Sequence, residues 1–209
     1  MLKPNRRKPR GQTGPIRFGG GKIERKFVDF PNSKDEIEML IAQAFCACNS
    51  SMAPQIARYL SFENLTQLNE NNIDFSVQTH FGLRWLELAE FAPLQYFSGK
   101  YENIPKIWNT ETMLAYLLEL ILKKNSNKYG KHVILVIYKT HEACFIPPPV
   151  MQLVRSKLKD IALSIVLESI YYLSPHNEKD ASVWEIWPGN DHGSDWTLGP
   201  TVQVEFLKD

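Results

Sequence analysis

The sequence predicts an α/β fold, a mixed β-sheet flanked by helices, on three observations. Residues 73–91 alternate apolar and polar positions on either side of Gly82, as the strands of a hairpin do. Residues 109–124 carry apolar side chains at helical spacing, and residues 132–138, HVILVIY, form the continuous apolar run of a strand buried on both faces. A hairpin is antiparallel, whereas a helix between two strands crosses over to a parallel neighbour, so the sheet has to be mixed.

A chain of 209 residues with 44% hydrophobic and 22% charged residues suits one globular domain with a sizeable core. Its expected span is 27–209, preceded by an arm over 1–26 that lacks periodicity, includes Gly19-Gly20-Gly21 and reads as disordered. Charge divides the same way. Residues 1–27 hold nine basic side chains against Glu24, a net of +8, while the rest hold 15 basic and 22 acidic ones, a net of −7. A basic arm on an acidic body suits phosphate backbones, with Arg6, Arg7, Lys8 and Arg10 as candidate nucleic-acid contacts; a flexible solubilising tail would have the same composition. The longest apolar run, near 113–122, is broken by Glu119, so no segment is long enough to span a bilayer, and the N-terminus lacks the apolar core of a secretory signal. Cys46, Cys48 and Cys144 cannot form a disulfide framework, and free thiols in a reducing cytoplasm are expected.

Taking the elements in order, Ser33 and Glu36 form a capping box, and Ile37, Leu40, Ile41, Ala44, Phe45 and Cys48 follow at helical spacing, which predicts a helix over 33–48. Pro54 to Leu60 reads as a short helix and Asn64 to Leu68 as a weak strand. The hairpin comes next, its second strand apolar on both faces and therefore central. Asn109 can cap the helix that runs to Lys124. After Pro147-Pro148-Pro149, the residues Val150, Val154, Leu158, Ile161 and Ile165 mark another helix. Ser169–Leu173 and Val183–Trp187 are strand candidates, and Val202, Val204 and Phe206 alternate in a last one.

Three acids in the hairpin carry the chemistry. Asp74, Glu87 and Glu90 stand in apolar segments, and a buried carboxylate is costly without a partner. A hairpin can bring Asp74 and Glu87 side by side, where two carboxylates suit a hard divalent cation such as Mg²⁺, with Mn²⁺ as the substitute. Such a cation activates water and stabilises charge developing on phosphate oxygens. The competing readings are a strand-entry turn for Asp74, a buried ion pair with Arg84 or another base for Glu87, and a surface acid for Glu90 unless a bulge turns it toward a metal. On the following helix, counting about 100° per residue from Met113, Leu117 falls at about 40°, Ile121 at about 80° and Lys124 at about 20°. Lys124 thus lies in the apolar stripe, unless fraying at Asn125 lets it snorkel out or it serves only the helix dipole. His141-Glu142 near Cys144 is no nucleophile signature.

These residues resemble the PD-(D/E)XK nuclease superfamily. The resemblance covers roughly residues 33–140. It rests on Asp74 opening a strand, Glu87 in Trp-Leu-Glu-Leu-Ala-Glu of the next, a helix ending in Lys-Lys-Asn-Ser-Asn-Lys-Tyr, and the strand His132–Tyr138. It implies a restriction-endonuclease-like core (helix, strand meander, crossover helix, strand), Mg²⁺ held by Asp74 and Glu87, and hydrolysis of phosphodiesters in nucleic acid, DNA before RNA. A homodimer is among the assemblies open to such a protein. The family's lysine, two residues after the glutamate, is replaced here by Ala89, and the resemblance then implies a lysine on the following helix: Lys124, with Lys128 as second candidate. The alternative is a catalytically degenerate relative that binds nucleic acid or protein.

Overall fold

Strand β5 (Gly82–Glu90) lies inside a six-stranded sheet, and its neighbours account for most of the architecture. The computed structural model describes residues 10–19, 22–48, 59, 61–68, 73–105, 109–125, 132–177, 179–189 and 204–206. The expected helix over Pro54–Leu60 lies outside these residues apart from Tyr59, as do Lys128 and Val202.

Helix α1 (Lys34–Ala47) starts at Ser33 through the anticipated capping box: Ser33 Oγ accepts from Glu36 N–H at 3.2 Å, and Glu36 Oε2 accepts from Ser33 N–H at 3.3 Å. Strands β3 (Glu63–Gln67), β4 (Phe75–Thr79) and β5 form an antiparallel meander. The β4–β5 turn passes through Gly82 at φ +96°, a conformation open to glycine. Helix α2 (Thr110–Lys124), capped by Asn109 Oδ1 accepting from Glu111 N–H at 2.8 Å, crosses over to β6 (Val133–Tyr138), which pairs parallel with β5. All six residues of β6 are buried. Helix α3 (Pro148–Asp160) leads to β7 (Ser169–Asn177), parallel to β6, and β8 (Asp180–Trp187) closes the sheet antiparallel to β7. The strand order is β3-β4-β5-β6-β7-β8.

Because side chains alternate along a strand, β5 and β6 feed two cores. Leu86, Leu88, Ile134, Val136 and Tyr138 pack with α1 on one face, and Ala89, Val133, Leu135 and Ile137 pack with α2 and α3 on the other. This is an α/β fold with a mixed sheet flanked by helices, and among the described residues no helix is long and apolar enough to cross a membrane.

Two expectations need correction. Backbone pairing extends into the N-terminal segment read as a disordered arm: β1 (Arg10–Gly19) and β2 (Lys22–Asp29) run antiparallel, and β9 (Val204–Phe206) joins β1 in parallel. Ladder hydrogen bonds need no side-chain periodicity, so composition misses such a ribbon. Helix α3 ends at Asp160, so Val150, Val154 and Leu158 are buried while Ile161 and Ile165 fall beyond it, around a short 3₁₀ turn at Ala162–Ser164.

At the end of the sheet where β5 begins, Arg84 pairs through Nε with Glu168 Oε1 at 2.8 Å, and Glu168 also takes His132 Nδ1 at 2.8 Å and the Tyr59 hydroxyl at 3.2 Å. Burial pushes the Glu168 carboxyl up, but the hydrogen bonds from His132 and Arg84 outweigh it and hold it below its ordinary value. Glu168→Ala is expected to cost about 2–3 kcal/mol of unfolding free energy at pH 7, because it leaves the buried Arg84 uncompensated. The lowered carboxyl stabilises the fold above its unfolded value of 4.5 and stops doing so as pH falls through the folded value, so the deficit should shrink in acid. Urea titrations of both proteins between pH 7 and pH 3 check this; a deficit that grows in acid would contradict it.

Candidate functional site

Asp74 lies immediately before β4, at the point where the β4–β5 ladder stops. Phe75 pairs with Leu86, so the next register step sets Asp74 across from Glu87. Trp85 and Phe91 donate their N–H groups toward β6, to His132 O at 3.1 Å and Tyr138 O at 2.7 Å, which turns the even positions of β5 toward β4. Beyond Leu86, among the described residues, the β4 ladder does not continue. Instead, the Asp74 Oδ2 accepts from Leu88 N–H at 2.7 Å. The acid thus ends the ladder with one oxygen and keeps Oδ1 for another donor or a cation.

Glu87 points to the other face, between Trp85 and Ala89, and is 2% exposed. Its Oε1 forms an ion pair with Lys124 Nζ at the end of α2. Two features bring the lysine there. Its position continues the stripe of Met113, Leu117 and Ile121, all buried, and helical side chains lean toward the helix N-terminus, here up the strand toward Glu87. Asn125 does not fray: its Nδ2 donates to Ser164 O at 2.8 Å and its Oδ1 accepts from Val166 N–H at 2.9 Å, so the end of α2 is fastened to the turn after α3. Arg84, the base first considered for Glu87, is engaged by Glu168 instead.

Sequence reasoning missed Glu38. It is buried on α1, one turn before Ala42 and in line with Ile41 and Phe45, and Lys34 Nζ lies 3.1 Å from its Oε1. Burial raises the Glu38 carboxyl, and the negative charge of Asp74 raises it further against the opposing effect of Lys34. Lys34 in turn is raised chiefly by its hydrogen bond to Glu38, with Asp74 raising and Lys124 lowering it, so Lys34, Glu38, Asp74 and Lys124 share one electrostatic neighbourhood. A helical-wheel count would have found Glu38 by the same step that found Lys124.

Glu90 is neither a surface acid nor bulged. The β5–β6 register is continuous through Glu90 opposite Tyr138, and Glu90 Oε1 accepts from the hydroxyls of Tyr101 and Thr140, both at 2.5 Å. Cys144 is buried, and burial, helped by the charge of Glu90, pushes its thiol up to about 12. His141 stacks on Tyr101 instead of pairing with that thiol, so no cysteine nucleophile forms there. Arg10 begins β1, and Arg6, Arg7 and Lys8 lie outside the described residues.

Among the described residues no group of three or more His, Cys, Asp or Glu could hold a metal ion. Mg²⁺ does not require such a group, since it is commonly held by one or two carboxylates and several waters, and the Asp74–Glu87 pair offers hard oxygen donors of that kind. No protein-family model matches this chain, and neither a curated protein nor a solved structure shows significant similarity to it.

Replacing one member of the Lys124–Glu87 pair removes the ion pair from the other, partly or fully buried, charge. Lys124→Met and Glu87→Gln are each expected to destabilise the protein by about 2–4 kcal/mol. The double variant should recover part of the loss, with a coupling energy of about 1–3 kcal/mol in a double-mutant cycle measured by urea unfolding; additive losses would mean that the pair is not formed.

Proposed function

We propose that this protein is a metal-dependent nuclease of the PD-(D/E)XK kind, hydrolysing phosphodiester bonds in nucleic acid, DNA before RNA. The observation that carries the reading is the Lys124–Glu87 ion pair: a lysine on the following helix meets the strand glutamate although Ala89 occupies the usual lysine position. The order α1, β3, β4, β5, α2, β6 supports it, with two antiparallel pairings followed by a parallel one, the arrangement expected of a restriction-endonuclease-like core. So does Asp74, which sits across the ended ladder from Glu87.

In this reading Asp74 and Glu87 would hold Mg²⁺ or Mn²⁺, which when bound supplies Lewis-acid stabilisation and an acidified water. Lys124 holds positive charge at the Glu87 carboxylate and is placed to orient a nucleophile or offset charge on the phosphate. Burial beneath α2 lowers the local dielectric, which strengthens each of these interactions. The basic residues of the arm would add sequence-independent affinity for the backbone.

A second reading, a catalytically silent binding module of the same fold, is favoured by the net charge of −7 over residues 28–209, since a nuclease groove is usually basic. Incubation with plasmid, single-stranded DNA and RNA separates the two. The nuclease reading expects cleavage with Mg²⁺ or Mn²⁺ that stops with EDTA, falls about a thousandfold or more in Glu87→Ala and about a hundredfold or more in Lys124→Met. No cleavage of any substrate, with arm-dependent binding retained, would favour the module.

A further inference from the structure

We propose that the Tyr138 hydroxyl contacts the nucleic-acid strand bound at Asp74 and Glu87, donating a hydrogen bond to an oxygen of its phosphodiester. The inference rests on the nuclease reading.

Tyr138 ends β6, with Glu90 of β5 as its register partner, and its ring packs in the α1-side core at 3% exposure. Three carboxylates, Glu90, Glu38 and Asp74, act electrostatically on its hydroxyl. Glu90 is its strand neighbour on the same face, Asp74 caps the Leu88 N–H of β5, and Glu38 descends from α1 onto that face. Tyr101 and Thr140 are already committed to Glu90. The hydroxyl of Tyr138, by contrast, makes no hydrogen bond among the described residues. Buried tyrosine hydroxyls usually have one, so this is a donor held ready. It is not sealed away as the unpartnered Trp184 Nε1 is.

The chemistry selects the ligand class. Phosphodiester oxygens only accept, and they need donors that the ring of carboxylates cannot supply. Lys124 offers one from the α2 face of β5, and Tyr138, one strand over on β6, offers one from the α1 face. With a divalent cation on Asp74 and Glu87 offsetting the negative charge, a phosphate can be held between them.

The test is Tyr138→Phe in the full chain, which removes the oxygen and keeps the ring. Affinity for a fluorescein-labelled oligodeoxynucleotide is measured by anisotropy in Ca²⁺ at physiological salt, where attraction to the arm is screened, beside thermal unfolding and Mn²⁺-supported cleavage. The expected result is an unchanged Tm with affinity reduced about tenfold. Unchanged affinity would overturn the proposal, as would a Tm several degrees lower, which would mark the hydroxyl as structural. If the unaltered protein binds but never cleaves, the nuclease reading fails while the Tyr138 contact is still decided by the affinity ratio. Failure of the unaltered protein to bind would remove both.

Discussion

A carboxylate in the middle of a sheet, 2% exposed and roofed by a helix, can stay charged only if a cation meets it inside. The Lys124–Glu87 pair satisfies that constraint, and much of the surrounding structure follows from it. Helix α2 must run back along β5 far enough for its last residue to reach Glu87, which sets the start of β6 opposite Trp85 and makes the β5–β6 pairing parallel. Its end must also stay in place, and Asn125 fastens it to Ser164 and Val166 beyond α3. The ion pair therefore depends on how the end of α2 is held against the segment after α3.

The second constraint is the end of a ladder. Where β4 stops, Leu88 N–H has lost its strand partner, and Asp74 replaces it with a side-chain oxygen. That substitution interrupts the sheet between two sets of polar groups, Glu87 and Lys124 on the α2 side and Glu38, Glu90 and Tyr138 on the α1 side. The candidate site therefore lies where the β4–β5 ladder is interrupted.

What the sequence disclosed follows the reach of each signal. The hairpin, the Ser33 capping box, the Asn109 N-cap and β6 are local patterns, and each stands where its pattern predicts. Lys124 was legible because an inward angle on a helix is a count along the chain. Glu38 was equally legible, since it lies on the side of the stripe where Ile41 and Phe45 are buried, away from the more exposed Ile37 and Leu40. Glu90 was not legible, since one of its partners, Thr140, lies 50 residues away, brought close by the crossover alone. Glu168 and Arg84 are 84 residues apart and meet only once β7 is seated. The β1–β2 ribbon left no trace because its visible signal, charge, says nothing about backbone pairing.

Ala89 explains why the lysine can sit on a helix at all. It is 5% exposed, shares the face of Glu87 and packs in the same core as Leu117 and Ile121 of α2. A small side chain there lets the helix approach the strand closely enough for Lys124 to span the gap. A lysine at that position would have to place its own stem where the helix now packs. Here the strand carries alanine and the helix delivers the cation, so the cation's position depends on tertiary packing, not strand register. A disturbance of α2 or its Asn125 clamp would then be felt at Glu87 before it was felt anywhere else on β5.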